Sequence, residues 1–257
     1  MRVIMSIIVF SFCFTIPPTM PRADESPVRF ALMEFYPFGR TTESGKIDGI
    51  YWDIIQDIQK LSGVKMNTLM MPIPRLRRSI SGGISDLAIA GASSSLINGA
   101  SSLGVVGCSR IIIQTSKTAG IQDLEGLANK PIAFVTNGFL HKAYGNKFGL
   151  NAIQTSSGQS MFAMLDRGRV DGIFISDVVA DSFILTGLSN SNISSNWRES
   201  LGPRVLVKTI PSHLQISNKF ANATIRQSLK NAIILGNKTG VFEKTYPKYG
   251  VQTKGKC

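Results

Sequence analysis

Residues 46–91 read KIDGIYWDIIQDIQKLSGVKMNTLMMPIPRLRRSISGGISDLAIAG, and the order of patterns in this stretch decides the fold. Ile50, Ile54, Ile58 and Leu61, with Ile55 alongside, make one apolar stripe at helical spacing. Gly63 stands where a helix C-terminus wants a residue able to take positive φ. Val64 to Met71 alternates too little for a half-exposed strand and predicts one covered on both faces. Pro74 is placed to open the next helix, where its missing N–H costs nothing. Gly82-Gly83 ends that helix, and Asp86 to Ala90 has the length and apolarity of a buried strand. Helices and strands alternating through short links predict an α/β fold with a parallel sheet covered by helices.

Upstream, Val28 to Leu32 reads as the first strand, and the polar segment Thr41 to Lys46 as a hairpin-like turn. Downstream, Leu103 to Val106 and Ile111 to Ile113 flank Gly107-Cys108-Ser109-Arg110, and Pro131 to Val135 is a further strand. Thr136-Asn137-Gly138 then opens a helix near Phe139, where free N–H groups hold an acceptor or anion, or serve plain N-capping. Met161, Met164 and Leu165 line another helix face. After it, Gly168-Arg169-Val170-Asp171 precedes GIFI, as Gly83-Ile84-Ser85-Asp86 precedes LAIA. That echo supports two similar lobes. Ser189 to Ser200 reads as a loop, and Arg204 to Ile210 as a strand returning to the first lobe. Ile225, Leu229, Ile233 and Leu235 mark a closing helix with Gly236 near its end, and Val241 to Tyr246 a last short helix before Pro247.

At the other end, Arg2 precedes an apolar run from Val3 to Ile16, too short for a membrane span and suited to a secretory signal. Cleavage is expected after Ala23, with an uncleaved anchor as the alternative; bulky Phe12 before Cys13 argues against a lipid anchor. Removing residues 1–23 takes away Arg2 and Arg22 and no acid, leaving 26 basic against 16 acidic residues, net +10. The basic residues are dispersed and no nucleic-acid motif accompanies them, so a solvated basic surface is expected and no nucleic-acid partner. Cys108 and Cys257 remain, to form one disulfide or stay as two thiols.

The stretch from Gly49 to Asp53, the Leu-Ser-Gly-Val helix exit and the helix-Gly-x-x-Asp-Leu strand resemble the family 3 extracellular solute-binding proteins of ABC importers. The resemblance extends, more weakly, from about Val28 to Gly250. It implies two Rossmann-like lobes joined by a hinge, the Venus-flytrap form of periplasmic binding protein type II. The expected divisions are residues 24–108 for the first part of lobe one, 109–209 for lobe two, and 210–257 for the return segment. It also implies a periplasmic monomer that captures a small polar solute and presents it to transmembrane ABC permease subunits, with no cofactor. An enzyme of dehydratase type on the same scaffold, or a ligand-sensing receptor module, is the alternative.

The resemblance supplies candidate ligand residues as well. Phe35, two residues before Pro37-Phe38, matches the aromatic that the family places in its cleft; otherwise it is a core aromatic under the loop. Ser93 matches the family's binding Ser/Thr, with Ser94 beside it, in what is otherwise a Ser-rich turn at a strand's carboxyl end. Asp177 matches the carboxylate that holds a ligand's amino group, or else is an N-cap. Asn98 stands where the amino-acid binders carry Arg, and Asn does not replace a bidentate guanidinium, so an ordinary α-amino acid is not the expected ligand. Arg75, beside Pro74 at a helix start, is the cation expected in the cleft, with Thr136 and Asn137 on the opposing wall. His141 and His213 are the chain's two histidines, so a multi-His metal site is excluded, and no nucleophile-elbow, zinc-protease or phosphate-loop motif appears.

Overall fold

The computed structural model describes residues 26–91, 97–135, 148–186, 193–252 and 257. The amino-terminal apolar run, Ser93, Ser94, Thr136, Asn137 and His141 lie outside the described residues.

The organising stretch folds as its pattern dictates. Strand β1 (Val28–Met33) leads through the two-stranded ribbon β2 (Arg40–Thr41) and β3 (Ile47–Asp48) into helix α1 (Ile50–Ser62). Ile50, Ile54, Ile55 and Ile58 are buried, and Gly63 closes the helix in the left-handed conformation. Among the described residues no side chain caps the start of α1; the carbonyls of Pro37 and Phe38 take the N–H groups of Ile50 and Tyr51 at 2.8 and 3.0 Å. Strand β4 (Met66–Met71), helix α2 (Ile73–Gly82) and strand β5 (Leu87–Gly91) follow. Both β4 and β5 pair parallel to β1. β4 departs from the expectation of two covered faces. It is the edge strand, its Asn67 and Leu69 exposed, because nothing among the described residues pairs beyond it.

Two strands of 17 residues, β6 (Ala100–Ser116) and β10 (Leu201–Ser217), pair antiparallel and run through both halves of the sheet. At about 3.3 Å per residue each spans roughly 55 Å. Between them in sequence lie β7 (Pro131–Val135), β8 (Asn151–Thr155), helix α3 (Gly158–Asp166), β9 (Gly172–Ser176) and helix α4 (Asp177–Thr186). The eight-stranded order is β4-β1-β5-β10-β6-β9-β7-β8. On each side of the long pair the three short strands follow one rule: the first lies between the second and the third. β5 joins β10 at residues 212–216, and β9 joins β6 at residues 111–115.

The echoed aspartates have a matching role in the two halves. Asp86 enters the third strand of its half with its N–H on the Arg29 carbonyl and its carboxylate on the Arg29 guanidinium, at 2.6 and 3.0 Å. Asp171 gives its N–H to the Pro131 carbonyl and lies 3.7 Å from Lys130 Nζ. Each ties the start of the third strand to the start of the first.

Three later expectations are corrected. The Ser/Asn-rich segment 189–200 is not purely loop, for Trp197–Ser200 is a short 3-10 helix whose Trp197 is buried edge-on to Phe162 at 5.2 Å. In helix α5 (Ala223–Thr239), closed by Gly240, Leu235 faces outward instead of joining the apolar face. Gly236 lies near the helix end as expected and is the seat of the Phe242 ring, whose Cζ would lie 2.3 Å from an added Cβ. Pro247 sits inside the final 3-10 helix, Glu243–Tyr249, rather than after it. No helix among the described residues is long and apolar enough to cross a membrane.

Candidate functional site

The carboxyl ends of β1 and β5 point towards the second half of the sheet, and the carboxyl end of β9 points back. The register gives the distance between them. Gly91, at the end of β5, pairs with Ser212, which pairs with Gly107 of β6. Ser176, at the end of β9, pairs with Ile111 of the same strand. Four residues of β6 therefore separate the two sets of strand ends, roughly 13 Å at strand rise. Open α/β sheets take ligands at such ends, and here two sets face one another.

Phe35 follows β1 into this gap. It is 42 % exposed, and a tight turn holds it: its N–H bonds the Gly39 carbonyl at 2.9 Å, and Phe38 N–H bonds its carbonyl at 2.8 Å. Phe38 stacks behind it at 6.3 Å and packs in turn on Tyr51 of α1 at 4.6 Å. The outer ring is thus an exposed aromatic on a rigid support. Arg75 is exposed in the first turn of α2, and its guanidinium makes no hydrogen bond or ion pair among the described residues.

Asp177 opens α4 at the far side of the gap and is buried. Its Oδ1 accepts from the N–H of Arg110 at 2.9 Å and of Val178 at 2.8 Å, and its Oδ2 from Arg110 Nε at 2.7 Å. The cap is Ser176, whose Oγ accepts the Val179 N–H at 3.3 Å. Both oxygens of Asp177 are therefore engaged, and the guanidinium beside them cancels their charge. Arg110 is the residue that sequence reasoning missed. The signal was present: one arginine inside a 17-residue strand of mostly apolar and small residues needs an acid nearby.

Asn98 is not brought to these strand ends. Its carbonyl accepts from Ser81 Oγ at 2.6 Å, in the last turn of α2, and the following strand, β6, begins with Ala100 opposite Ser217. Ile216, next to Ser217 in β10, pairs with Leu87, the first residue of β5. Asn98 thus lies at the amino end of β5, while the gap lies at its carboxyl end. An arginine placed there starts from the wrong end of the strand.

Around the long strands, Tyr51 Oη and Ser212 Oγ share a buried hydrogen bond of 2.8 Å. His213 is partly buried with Nδ1 2.8 Å from Ser102 Oγ, and burial lowers its pKa. Both residues belong to the long strand pair, Ser102 to β6 and His213 to β10. Cys108, within the four-residue span of β6, is joined to Cys257 by a disulfide. No group of three or more potential metal ligands occurs among the described residues.

No family model matches this sequence, and no curated protein matches it. Solved structures do. Substrate-binding domain 2 of Lactococcus lactis GlnP, in its open conformation, aligns at TM-score 0.63 and 16 % identity, over 89 % of this chain and 96 % of that one. The GluR0 ligand-binding core in complex with L-glutamate aligns at TM-score 0.71 and 13 % identity, over 88 % and 99 %. The periplasmic VFT2 domain of Bordetella pertussis BvgS aligns at 0.65 and 14 %, over 86 % and 92 %. The chain has the fold of these two-lobed binding domains, periplasmic binding protein type II.

Proposed function

We propose that this chain is a solute-binding protein that captures a small polar molecule between its two halves and delivers it to the permease of an ABC importer. The observation that carries this reading is the pair of facing strand ends, with the braced, exposed ring of Phe35 on one side. A ligand that touches both sets of ends stabilises the closed arrangement by its differential affinity. We place the lobe boundaries in the long strands, near residues 108 and 209, where the chain passes from one half to the other. Phe35 and Arg75, with Ser93 and Ser94, form one wall; Asp177, with Thr136 and Asn137, forms the other. The apolar run before Ala23 exports the chain, which works as a monomer and catalyses nothing.

The geometry of Asp177 supports a particular class of solute. An incoming ammonium finds that carboxylate already occupied by a guanidinium, and displacing it strands a cation. A solute without an α-amino group, such as an organic acid or a neutral polar molecule, meets no such conflict. Thermal-shift screening of the purified protein against amino acids, amines, organic acids and sugars tests the reading, because a ligand specific for the native state raises Tm by mass action. The expected hit is outside the α-amino acids, and Phe35→Ala weakens it about tenfold or more while Tm without ligand stays near wild type. Tight binding of a standard amino acid removes the argument from Asp177. Turnover of the hit to a product removes the transport reading.

An alignment with a histidine kinase sensor domain that is itself similar to periplasmic binding proteins, at TM-score 0.66 and 15 % identity over 88 % of this chain and 96 % of that one, supports a second reading, in which the closed form is read by a sensor partner rather than by a permease. Copurification of the liganded protein with a permease separates the two.

A further inference from the structure

A cavity of about 270 Å³ opens beside the long strands on the second half, lined by Arg110, Ile112, Asp181, Arg204, Leu206 and Gln252. It is not the gap between strand ends. Ile112 lies one residue beyond the β9 pairing at Ile111, and Arg204 is opposite Gln114, deeper still into the second half. Only Arg110 belongs to both.

Its polar lining offers more donors than acceptors. The carboxylate that lines it, Asp181, is held by Arg204 Nη1 at 2.6 Å. Arg204 Nε is spent on Gln114 Oε1 at 2.9 Å, and Arg110 Nε on Asp177. Uncommitted among the described residues are several donors, namely the terminal nitrogens of Arg110, the second terminal nitrogen of Arg204 and the amide nitrogen of the exposed Gln252, against two acceptors, Asp181 Oδ2 and the Gln252 amide oxygen. Two guanidinium edges are suited to planar anions. Ile112 and Leu206, the latter 52 % exposed, supply the apolar part of the lining.

We infer that this cavity is a second binding site, for a small organic carboxylate with a short aliphatic body. The carboxylate sits on the free edges of Arg110 and Arg204 and the hydrocarbon on Ile112 and Leu206. The volume, near the lower end for small-molecule pockets, admits a molecule of this size and little more. Gln252 follows the final 3-10 helix and so comes from the return segment, while the other lining residues belong to the two long strands and α4. An occupant bridges the return segment to the second half and favours the arrangement in which both contribute.

The probe is succinate, titrated into the purified full chain with its disulfide intact and followed by calorimetry and by NMR of the arginine Nε–H signals. Succinamide, which has the same shape without charge, is the control. The expectation is saturable succinate binding that shifts the Arg110 and Arg204 signals, falls with added salt, and is about tenfold weaker or absent for succinamide. Leu206→Trp fills the cavity from an exposed position without touching an ion pair and abolishes the binding. Arg204→Met weakens it about tenfold or more, whereas Phe35→Ala leaves it unchanged. No saturable binding in the millimolar range overturns the inference. So does binding that survives Leu206→Trp and is lost in Phe35→Ala, since the succinate is then in the gap between strand ends. The proposed solute capture stands or falls separately, on the Phe35 variant with its own ligand.

Discussion

Asp177 carries two duties, and a substitution there registers in both. Its carboxylate accepts three hydrogen bonds, two from Arg110, with 7 % of the aspartate side chain and 29 % of the arginine side chain exposed. Removing one member of a fully buried pair costs about 3–5 kcal/mol, but a guanidinium in partial contact with water recovers part of that. Asp177→Ala is therefore expected to lose about 1–3 kcal/mol, read from urea denaturation, rather than leaving the fold untouched as its resemblance to a pure ligand residue implies. Gly236 shows a different kind of constraint. Alanine is favoured over glycine within a helix by about 1 kcal/mol, so propensity alone predicts that Gly236→Ala stabilises the protein. The new Cβ, however, meets three atoms of the Phe242 ring at 2.3–2.9 Å, and that ring is itself buried. Overpacking of this kind costs about 1–3 kcal/mol, so the net expectation is a lower denaturation midpoint with α5 intact by circular dichroism. The partner of Asp177 lies 67 residues away, so the sequence signals an acid near Arg110 without saying which one, while the seat of Phe242 on Gly236 depends on how the chain turns back after α5.

At the scale of elements, local signals were legible and lateral ones were not. The apolar stripe of α1, its glycine stop, the proline in the first turn of α2 and the short apolar run of β5 each carry their reason within a few residues. β4 was misjudged as covered on both faces because the apolarity of Met66, Leu69, Met70 and Met71 says nothing about which strand lies at the edge. The strand β6 reads as two separate apolar runs, since small and polar residues from Gly107 to Ser109 interrupt the pattern without interrupting the pairing, and β10 reads as Arg204 to Ile210 alone, short of its true extent from Leu201 to Ser217. The same distinction bears on the candidate site. Phe35 is a candidate from its place beside Pro37, whereas the pairing of Arg110 with Asp177 and the position of Asn98 are facts of register between strands. Helix starts belong to the legible class, and α5 offers a clean test. Asn222 Oδ1 accepts the Ile225 N–H at 3.0 Å, and the helix so opened buries Leu229, Ala232 and Ile233. Asn222→Ala is expected to cost about 1 kcal/mol in denaturant unfolding, with Asn222→Ser or Asn222→Asp recovering most of it.

In the whole molecule, the return segment fastens the first half to the start of α1, and it does so through tyrosines. Tyr249 Oη donates to Asp48 Oδ1 at 2.9 Å and accepts the Gly49 N–H at 3.1 Å, and Lys248 reaches Asp53 at 3.0 Å. Tyr246 is buried near Tyr51, which is itself bonded to Ser212 of the long strand. Burial raises the pKa of all three: Tyr51 is pushed up to about 12, Tyr246 is raised further by burial and the neighbouring Tyr51, and Tyr249 by burial and its bond to Asp48. The sign for stability follows from proton counts. Below the unfolded value of about 10, both states hold the phenolic protons and stability is unaffected. Between about 10 and the folded values, the unfolded chain releases protons that the folded chain keeps, so stability falls as pH rises. The folded protein is therefore expected to titrate Tyr51, Tyr246 and Tyr249 not at pH 10 but together, in the step that unfolds it above about pH 11. Tyrosinate absorbance and far-UV circular dichroism followed on one alkaline titration decide it: the major absorbance rise coincides with loss of structure. Tyr51→Phe flattens the alkaline slope of stability, measured by urea midpoints between pH 9 and about 11. A smooth absorbance rise centred near 10 while the structure persists means these hydroxyls reach water, and the packing of the return segment against α1 and the long strands is then looser than described.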